Sequence, residues 1–215
     1  MLINLINLFN LVDYPALIYV IGSMGSGKTT LAMLVYSMYF SKKQFKSVLI
    51  TSPENFYDFI NIKNEANSKY YILFDDFSFT IDTRSRSGRE FLTMLFRIRH
   101  ILKTNYVVLW FNGHYSYSLA PFIRSTQYRI LTSISEPEVK QYASAYIFTE
   151  KDLWDYFKWC RDHMDKRIVL ASFRGITKII DVTTSKRKLN KAKKDFYENC
   201  INCDNTLEDI LHPCS

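Results

Sequence analysis

The sequence has few of the residues that break or staple a chain: its 215 residues include 6 glycines, 5 prolines and 4 cysteines. So little glycine and proline excludes a collagen-like fibre, which is built on them. Four cysteines are too few for a disulfide scaffold, and the expectation is an intracellular protein. No run reaches the roughly 18 apolar residues that span a bilayer. The stretch from Met1 to Val12 comes nearest, but it lacks a basic start, and Asn4, Asn7 and Asn10 interrupt it. A secretory signal needs a positive start and a small-residue cleavage site. The asparagine spacing instead places three amides on one helical stripe with aliphatics around the rest. The expectation is an amphipathic segment packed on the domain or on a neighbouring subunit, with membrane association the weaker reading. Acidic residues are also the minority: 21 Asp and Glu stand against 28 Lys and Arg, a net charge of +7. A basic balance suits a polyanionic partner, nucleic acid or an anionic membrane.

Apolar and aromatic residues are plentiful. Hydrophobic residues make up 47% and aromatics 16%, against 23% charged. That excludes a disordered chain. A chain of this length is expected to form one domain, at about 100–200 residues per domain, and to bury roughly 70% of its unfolded surface without staples.

Short β-branched and aromatic runs alternate with helical spacing through the first 130 residues or so. Strands are expected at 16–21, 47–51, 70–74, 106–111 and 128–132. Helices are expected at 29–40, 54–62, 90–102 and 116–125, with a polar, Arg-rich loop at 77–88. Further helices are expected at 138–145 and 151–163, a late hairpin at 167–171 and 178–182, and a basic helix at 186–197. Alternation of this kind predicts a mainly parallel sheet with helices on both faces.

The motif that carries chemistry is Gly22-Ser23-Met24-Gly25-Ser26-Gly27-Lys28-Thr29. It fits G-x-x-x-x-G-K-[ST], and it follows a buried strand and opens a helix, the context this motif requires. Glycines let backbone N–H groups wrap a phosphate, and the helix N-terminus adds partial positive charge. Lys28 supplies a cation to the β- and γ-phosphates, the Thr29 hydroxyl is a ligand for Mg²⁺, and Thr30 completes the phosphate-binding set. The second motif is the strand ending Phe74-Asp75-Asp76. Asp75 is the candidate metal ligand, on a strand expected beside that of the phosphate loop, and Asp76 is the candidate activator of the attacking water. Two acids at the end of a buried strand are costly unless they meet a cation, and Mg²⁺ is that cation. The fourth strand ends in Phe111-Asn112-Gly113-His114, which offers Asn112, and secondarily His114, as a sensor of the γ-phosphate.

The order of these motifs, with Arg97-Ile98-Arg99-His100, Leu119 to Arg124 and Tyr128 to Leu131, resembles the FtsK–HerA superfamily of DNA-pumping ATPases. More narrowly, it is similar to the small genome-packaging ATPases of archaeal viruses with internal-membrane icosahedral capsids. The resemblance covers roughly residues 16 to 182. It implies an α/β fold: a RecA-like P-loop NTPase core with a mainly parallel sheet flanked by helices, plus a basic helical C-terminal extension. The expected division is an ATPase domain at 1–183 and the extension at 184–215. The resemblance also implies a homo-oligomeric ring, expected as a hexamer, with ATP and Mg²⁺ between subunits. Hydrolysis would drive double-stranded DNA through the channel, with capsid-vertex or internal-membrane proteins as further partners, in the host cytoplasm or the virion. Family motors use an arginine from the neighbouring subunit, for which Arg97, Arg99 and Arg124 are candidates. Asp76 where Glu is usual, and Asn-Gly-His where Gln is common, depart from the family pattern.

Two rival functions stand beside that one. A nucleoside or nucleotide kinase would carry the same loop, with the Arg84 to Arg89 segment as a lid, although the second strand ends at Thr51-Ser52-Pro53 without an acidic acceptor motif. A capsid- or membrane-bound scaffold would use nucleotide only as a switch, with the N-terminal segment as its anchor. The six cations Lys186, Arg187, Lys188, Lys191, Lys193 and Lys194 form either a solvated face or a contact to DNA phosphates. Cys200, Cys203, His212 and Cys214 leave zinc, a disulfide and free thiols open.

Overall fold

The computed structural model describes residues 2–61, 67–75, 85–114 and 126–203. Seven strands form one sheet: β1 (Ala16–Ile21), β2 (Phe45–Ile50), β3 (Lys69–Phe74), β4 (Val107–Gly113), β5 (Tyr128–Leu131), β6 (Ile168–Phe173) and β7 (Ile176–Asp181). Their order is β2-β3-β4-β1-β5-β6-β7. The first five run parallel, β6 is antiparallel to β5, and β7 is antiparallel to β6. The described helices are α1 (Leu2–Leu8), α2 (Lys28–Val35), α3 (Pro53–Asn61), α4 (Arg86–Ile101), α5 (Glu136–Ser144), α6 (Glu150–Asp162) and α7 (Lys186–Glu198). The fold is therefore α/β, with a mostly parallel sheet covered on both faces.

Each face has its own core. On one, α3, α4, α5 and α6 bury Phe56, Phe91, Leu95, Val139 and Tyr156 against Tyr19, Ile72 and Phe111. On the other, α1, α2 and α7 bury Leu5, Leu31, Leu34 and Phe196 against Ile18, Leu73 and Trp110. The central strands are buried on both faces, which is why they read as continuous apolar runs. The N-terminal segment packs on its own domain: Leu5, Leu8 and Phe9 are buried, and Asn4, Asn7 and Asn10 are exposed. No described helix is long and apolar enough to cross a membrane.

Several elements differ from the sequence expectation. The strand carrying Asp75 is not beside the phosphate-loop strand, because β4 lies between β3 and β1. The crossover through α4 returns the chain into that gap. Helix α4 starts at Arg86 rather than Glu90, because Ser85 caps it by accepting from the Gly88 N–H at 3.0 Å. The helix after the phosphate loop is regular only to Val35, and a π turn at Tyr36–Phe40 follows. That turn brings Tyr36, Tyr39 and Phe40 inward together, the first two bonded through their hydroxyls to the Phe45 and Phe9 carbonyls. Strand β4 extends to Gly113, so Asn112 lies within it rather than after it. The expected helix at 116–125 and most of the expected loop at 77–88 lie outside the described residues. The late hairpin turns on Arg174 (φ 50) and Gly175 (φ 80), two left-handed residues as a tight hairpin turn requires.

Beyond α7 the chain covers the edge of β2. Ser47 donates to the Asn199 carbonyl at 3.1 Å and accepts from the Ile201 N–H at 3.0 Å. Asn202 stands in for a backbone amide, accepting from the Leu49 N–H at 3.0 Å and donating to its carbonyl at 2.6 Å. Pairing of this kind hides an edge that would otherwise template association. Of the three cysteine states left open, Cys200 and Cys203 form a disulfide within this segment, and Cys160 is a free thiol. His212 and Cys214 lie outside the described residues.

Candidate functional site

The phosphate loop leaves the carboxyl end of β1 and is fastened to the end of β5. A methyl group added at Gly22 would lie 2.1 Å from Thr132 Oγ1, so only glycine fits there. At Gly27 the backbone is left-handed (φ 86) as it enters α2, which glycine adopts without strain. Ser26 and Thr132 share a hydroxyl hydrogen bond at 2.7 Å, and the Ser23 N–H donates to Ser133 Oγ at 2.8 Å. Lys28 is buried, and its ammonium donates to the Gly22 and Ser23 carbonyls at 2.9 Å each. The cation is thereby held across the loop mouth. Met24, at the tip, is exposed.

Below the loop three polar side chains meet on the α2 face of the sheet. Strand alternation puts Asp75 on the same face as Leu73, and Asn112 on the same face as Trp110. The Thr29 hydroxyl donates to the Asp75 carboxylate, with Oγ1 2.8 Å from Oδ1 and 3.0 Å from Oδ2. Asn112, fully buried, donates from Nδ2 to Asp75 Oδ1 at 2.8 Å and accepts at Oδ1 from Trp110 Nε1 at 2.9 Å. An indole only donates and a carboxylate only accepts, so the amide orientation is fixed by its neighbours. The intervening strand β4 thus supplies a second donor, Asn112, to the carboxylate that Thr29 already holds.

This pair fits Mg²⁺. A magnesium ion takes oxygen ligands at 2.0–2.1 Å in an octahedron, whose edge is about 2.9 Å. The Thr29–Asp75 oxygen separations of 2.8 and 3.0 Å match that edge. Among the described residues no three His, Cys, Asp or Glu gather to hold a metal on protein groups alone. Mg²⁺ does not need such a cage, since it keeps waters and takes phosphate oxygens. Tyr197 of α7 also senses this site: burial, and then the Asp75 charge, push its phenol pKa up.

A cavity of about 370 Å³ opens beside the loop. Leu31, Leu34, Ile134, Val169, Val182 and Leu189 form its apolar walls, and Lys166 and Arg167 stand at its rim. Arg167 lies over the start of α2, with Nη1 2.9 Å from where a Gly27 methyl would sit. Cys160 lines the same cavity, and burial pushes its thiol pKa up. A mostly apolar slot with a few cationic groups, continuous with a phosphate loop, has the size and make-up of a small-molecule seat.

Of the expected site residues, the structure brings together Gly22 to Thr30, Asp75 and Asn112. His114 lies past the end of β4, where its carbonyl accepts from the Tyr19 hydroxyl at 3.5 Å. Asp76 and Arg124 lie outside the described residues. Arg97 and Arg99 are exposed in the second half of α4. Since α4 runs from the carboxyl end of β3 to the amino end of β4, these arginines lie toward the amino ends of the strands, away from their own phosphate loop. Arg99 donates from Nε to His100 Nε2 at 3.3 Å. Sequence reasoning missed Thr132, Ser133, Arg167 and Trp110.

Comparison with known proteins agrees with the fold. The family described as Novel STAND NTPase 3 matches residues 9–112, just under half the chain, including the loop, Asp75 and Asn112. A search of curated proteins finds no match. The genome-packaging NTPase B204 of Sulfolobus turreted icosahedral virus 2, in complex with AMPPCP, is similar with a TM-score of 0.55 and 13% identity. That alignment covers 82% of this chain and all of B204. The sulfate complex of B204 gives a TM-score of 0.52 and 11% identity, covering 81% of this chain and 98% of B204. The fold is that of P-loop NTPases. At these identities the likeness speaks to architecture alone, and the chemistry must be argued from the site.

Proposed function

We propose that this chain is a Mg²⁺-dependent ATPase that drives double-stranded DNA into a viral capsid as a homo-oligomeric ring. The observation that carries the nucleotide half is the Thr29–Asp75–Asn112 cluster directly beneath a phosphate loop closed by Lys28. Loop N–H groups and Lys28 hold the β- and γ-phosphates. Thr29 and Asp75 hold Mg²⁺, which supplies neutralisation of phosphate charge when bound. Asn112 orients the Asp75 carboxylate. Asp76, next in the chain, is the proposed activator of water, and Arg99 and Arg124 are the proposed arginines reaching a neighbouring site. The slot between α2 and β6 takes the nucleoside, with Arg167 at its rim. The DNA half is supported by the cationic face of α7 and by the likeness to B204, a genome-packaging NTPase. The resemblance noted in the sequence supports the ring, with capsid or membrane proteins as further partners.

The test is steady-state ATP turnover of wild type and Lys28→Ala, with and without double-stranded DNA. Removing a preorganised phosphate contact is expected to cost about 100-fold or more. DNA is expected to raise the wild-type rate. Turnover that survives Lys28→Ala would reject the site, and turnover that needs Lys28 but ignores DNA would reject the motor.

A further inference from the structure

A second pocket lies on the other face of the sheet, away from α2. It has a volume of about 750 Å³ between the β5–β6–β7 edge and the connection from α5 to α6. Arg129 enters it from β5, paired in register with Tyr19 on one side and Ser172 on the other. Its Nε is buried without a hydrogen-bond partner among the described residues. Its guanidinium lies 5.8 Å from the centre of the Phe148 ring. Burial pushes the Arg129 pKa down. Glu150 and Asp152 also line the pocket, but both are engaged at the start of α6. Asp152 accepts from the Thr149 hydroxyl at 2.6 Å, and Glu150 accepts from Trp154 Nε1 at 3.4 Å.

A guanidinium cannot discharge itself by losing its proton. A desolvated, unpaired charge is costly, and a planar fork of donors is the group best matched to phosphate oxygens. Two further lining groups suit the same ligand. Lys140 is an exposed cation at the mouth. Thr177 donates to Ser172 at 3.4 Å, leaving the Ser172 hydroxyl proton as a donor. We infer that this pocket is a phosphate-binding site built on Arg129 and Lys140, separate from the phosphate loop. The phosphate comes either from a free phosphate-bearing molecule or from the backbone of a nucleic acid. The inference does not rest on the ATPase reading.

The test uses the full chain carrying Lys28→Ala, which disables the phosphate loop. Thermal unfolding is followed in inorganic phosphate and in chloride of matched ionic strength. Phosphate is expected to raise the midpoint above the chloride control. Adding Arg129→Gln should abolish that rise, and adding Lys140→Ala, an exposed position, should reduce it. If Arg129→Gln does not fold, Arg129→Lys and Lys140→Ala decide. Double-stranded DNA binding at fixed salt separates the sources. A loss of about tenfold in Arg129→Gln assigns the phosphate to a nucleic-acid backbone; unchanged DNA affinity with the phosphate response abolished assigns it to a free ligand. No phosphate response in Lys28→Ala, or a response that neither Arg129 nor Lys140 variants alter, would overturn the inference.

Discussion

Asn112 shows how one side chain can join two motifs far apart in the sequence. Its amide bridges Trp110 and Asp75, and Asp75 in turn accepts from Thr29. A ligand held by an outer hydrogen bond loses its preferred orientation when that bond goes, and such losses cost about 10–100-fold in metal affinity. Asn112→Ala should therefore raise the Mg²⁺ concentration for half-maximal turnover by about 10–100-fold. Asn112→Asp would instead set a second carboxylate against Asp75. A Mg²⁺ dependence identical to wild type in Asn112→Ala would remove Asn112 from the site. The meeting of the loop, Asp75 and Asn112 was legible because each sits in a local pattern: a turn between strand and helix, or a polar residue closing an apolar run. Thr132 and Arg167 were not. Ser26 and Thr132 are 106 positions apart, and nothing in either neighbourhood marks the other. Arg167 closes the mixed-charge run Asp165-Lys166-Arg167 before a strand, a pattern that reads as an ordinary solvated turn.

Among the elements, strands and helices were legible because period-two and helical spacing are local properties of a few residues. The order of strands was not. Nothing in the β3 or β4 sequences says that β4 inserts between β3 and β1; that depends on where the crossover helix returns. Helix α7 poses a related question. Its composition is that of a solvated basic helix, yet Ala192 and Phe196 are buried in the core shared with α2, β3 and β4. Phe196 packs edge-on to Tyr36 at 5.4 Å and Tyr71 at 6.4 Å. The Ser37 hydroxyl donates to the Asp195 carboxylate, and Tyr197 lies within the field of Asp75. These interactions join the basic helix to the helix that follows the phosphate loop. Phe196→Ala removes a buried ring and should cost about 3–5 kcal/mol. It is expected to lower the urea midpoint of the whole chain in one transition. A separate early transition, with the midpoint of the core unchanged, would instead mean that α7 unfolds as an independent extension.

For the whole molecule, the net charge of +7 is unevenly placed, since 186–195 hold six cations and one acid. The folded chain sharpens that asymmetry. Asp195 is turned inward to Ser37, and Lys194 is paired with Glu198 at 3.5 Å. Lys186, Arg187, Lys188 and Lys191 remain exposed on the outer side of a helix whose inner side supports the phosphate loop. Such a face reads no sequence, since it offers point charges rather than groups matched to base edges. It would suit any duplex through its phosphates, as the proposed translocation needs. Binding of this kind releases counterions, so the logarithm of affinity falls linearly with the logarithm of salt, by roughly 0.9 for each phosphate neutralised. Replacing those four residues with Gln should flatten the salt dependence of double-stranded DNA binding, by roughly 0.9 for each phosphate that is no longer neutralised. Turnover without DNA should stay at the wild-type level, because none of the four lies in the Thr29–Asp75–Asn112 cluster. Fluorescence anisotropy of a labelled duplex across a salt series measures the slope. An unchanged slope would reject α7 as a duplex contact and leave it as a solvated face.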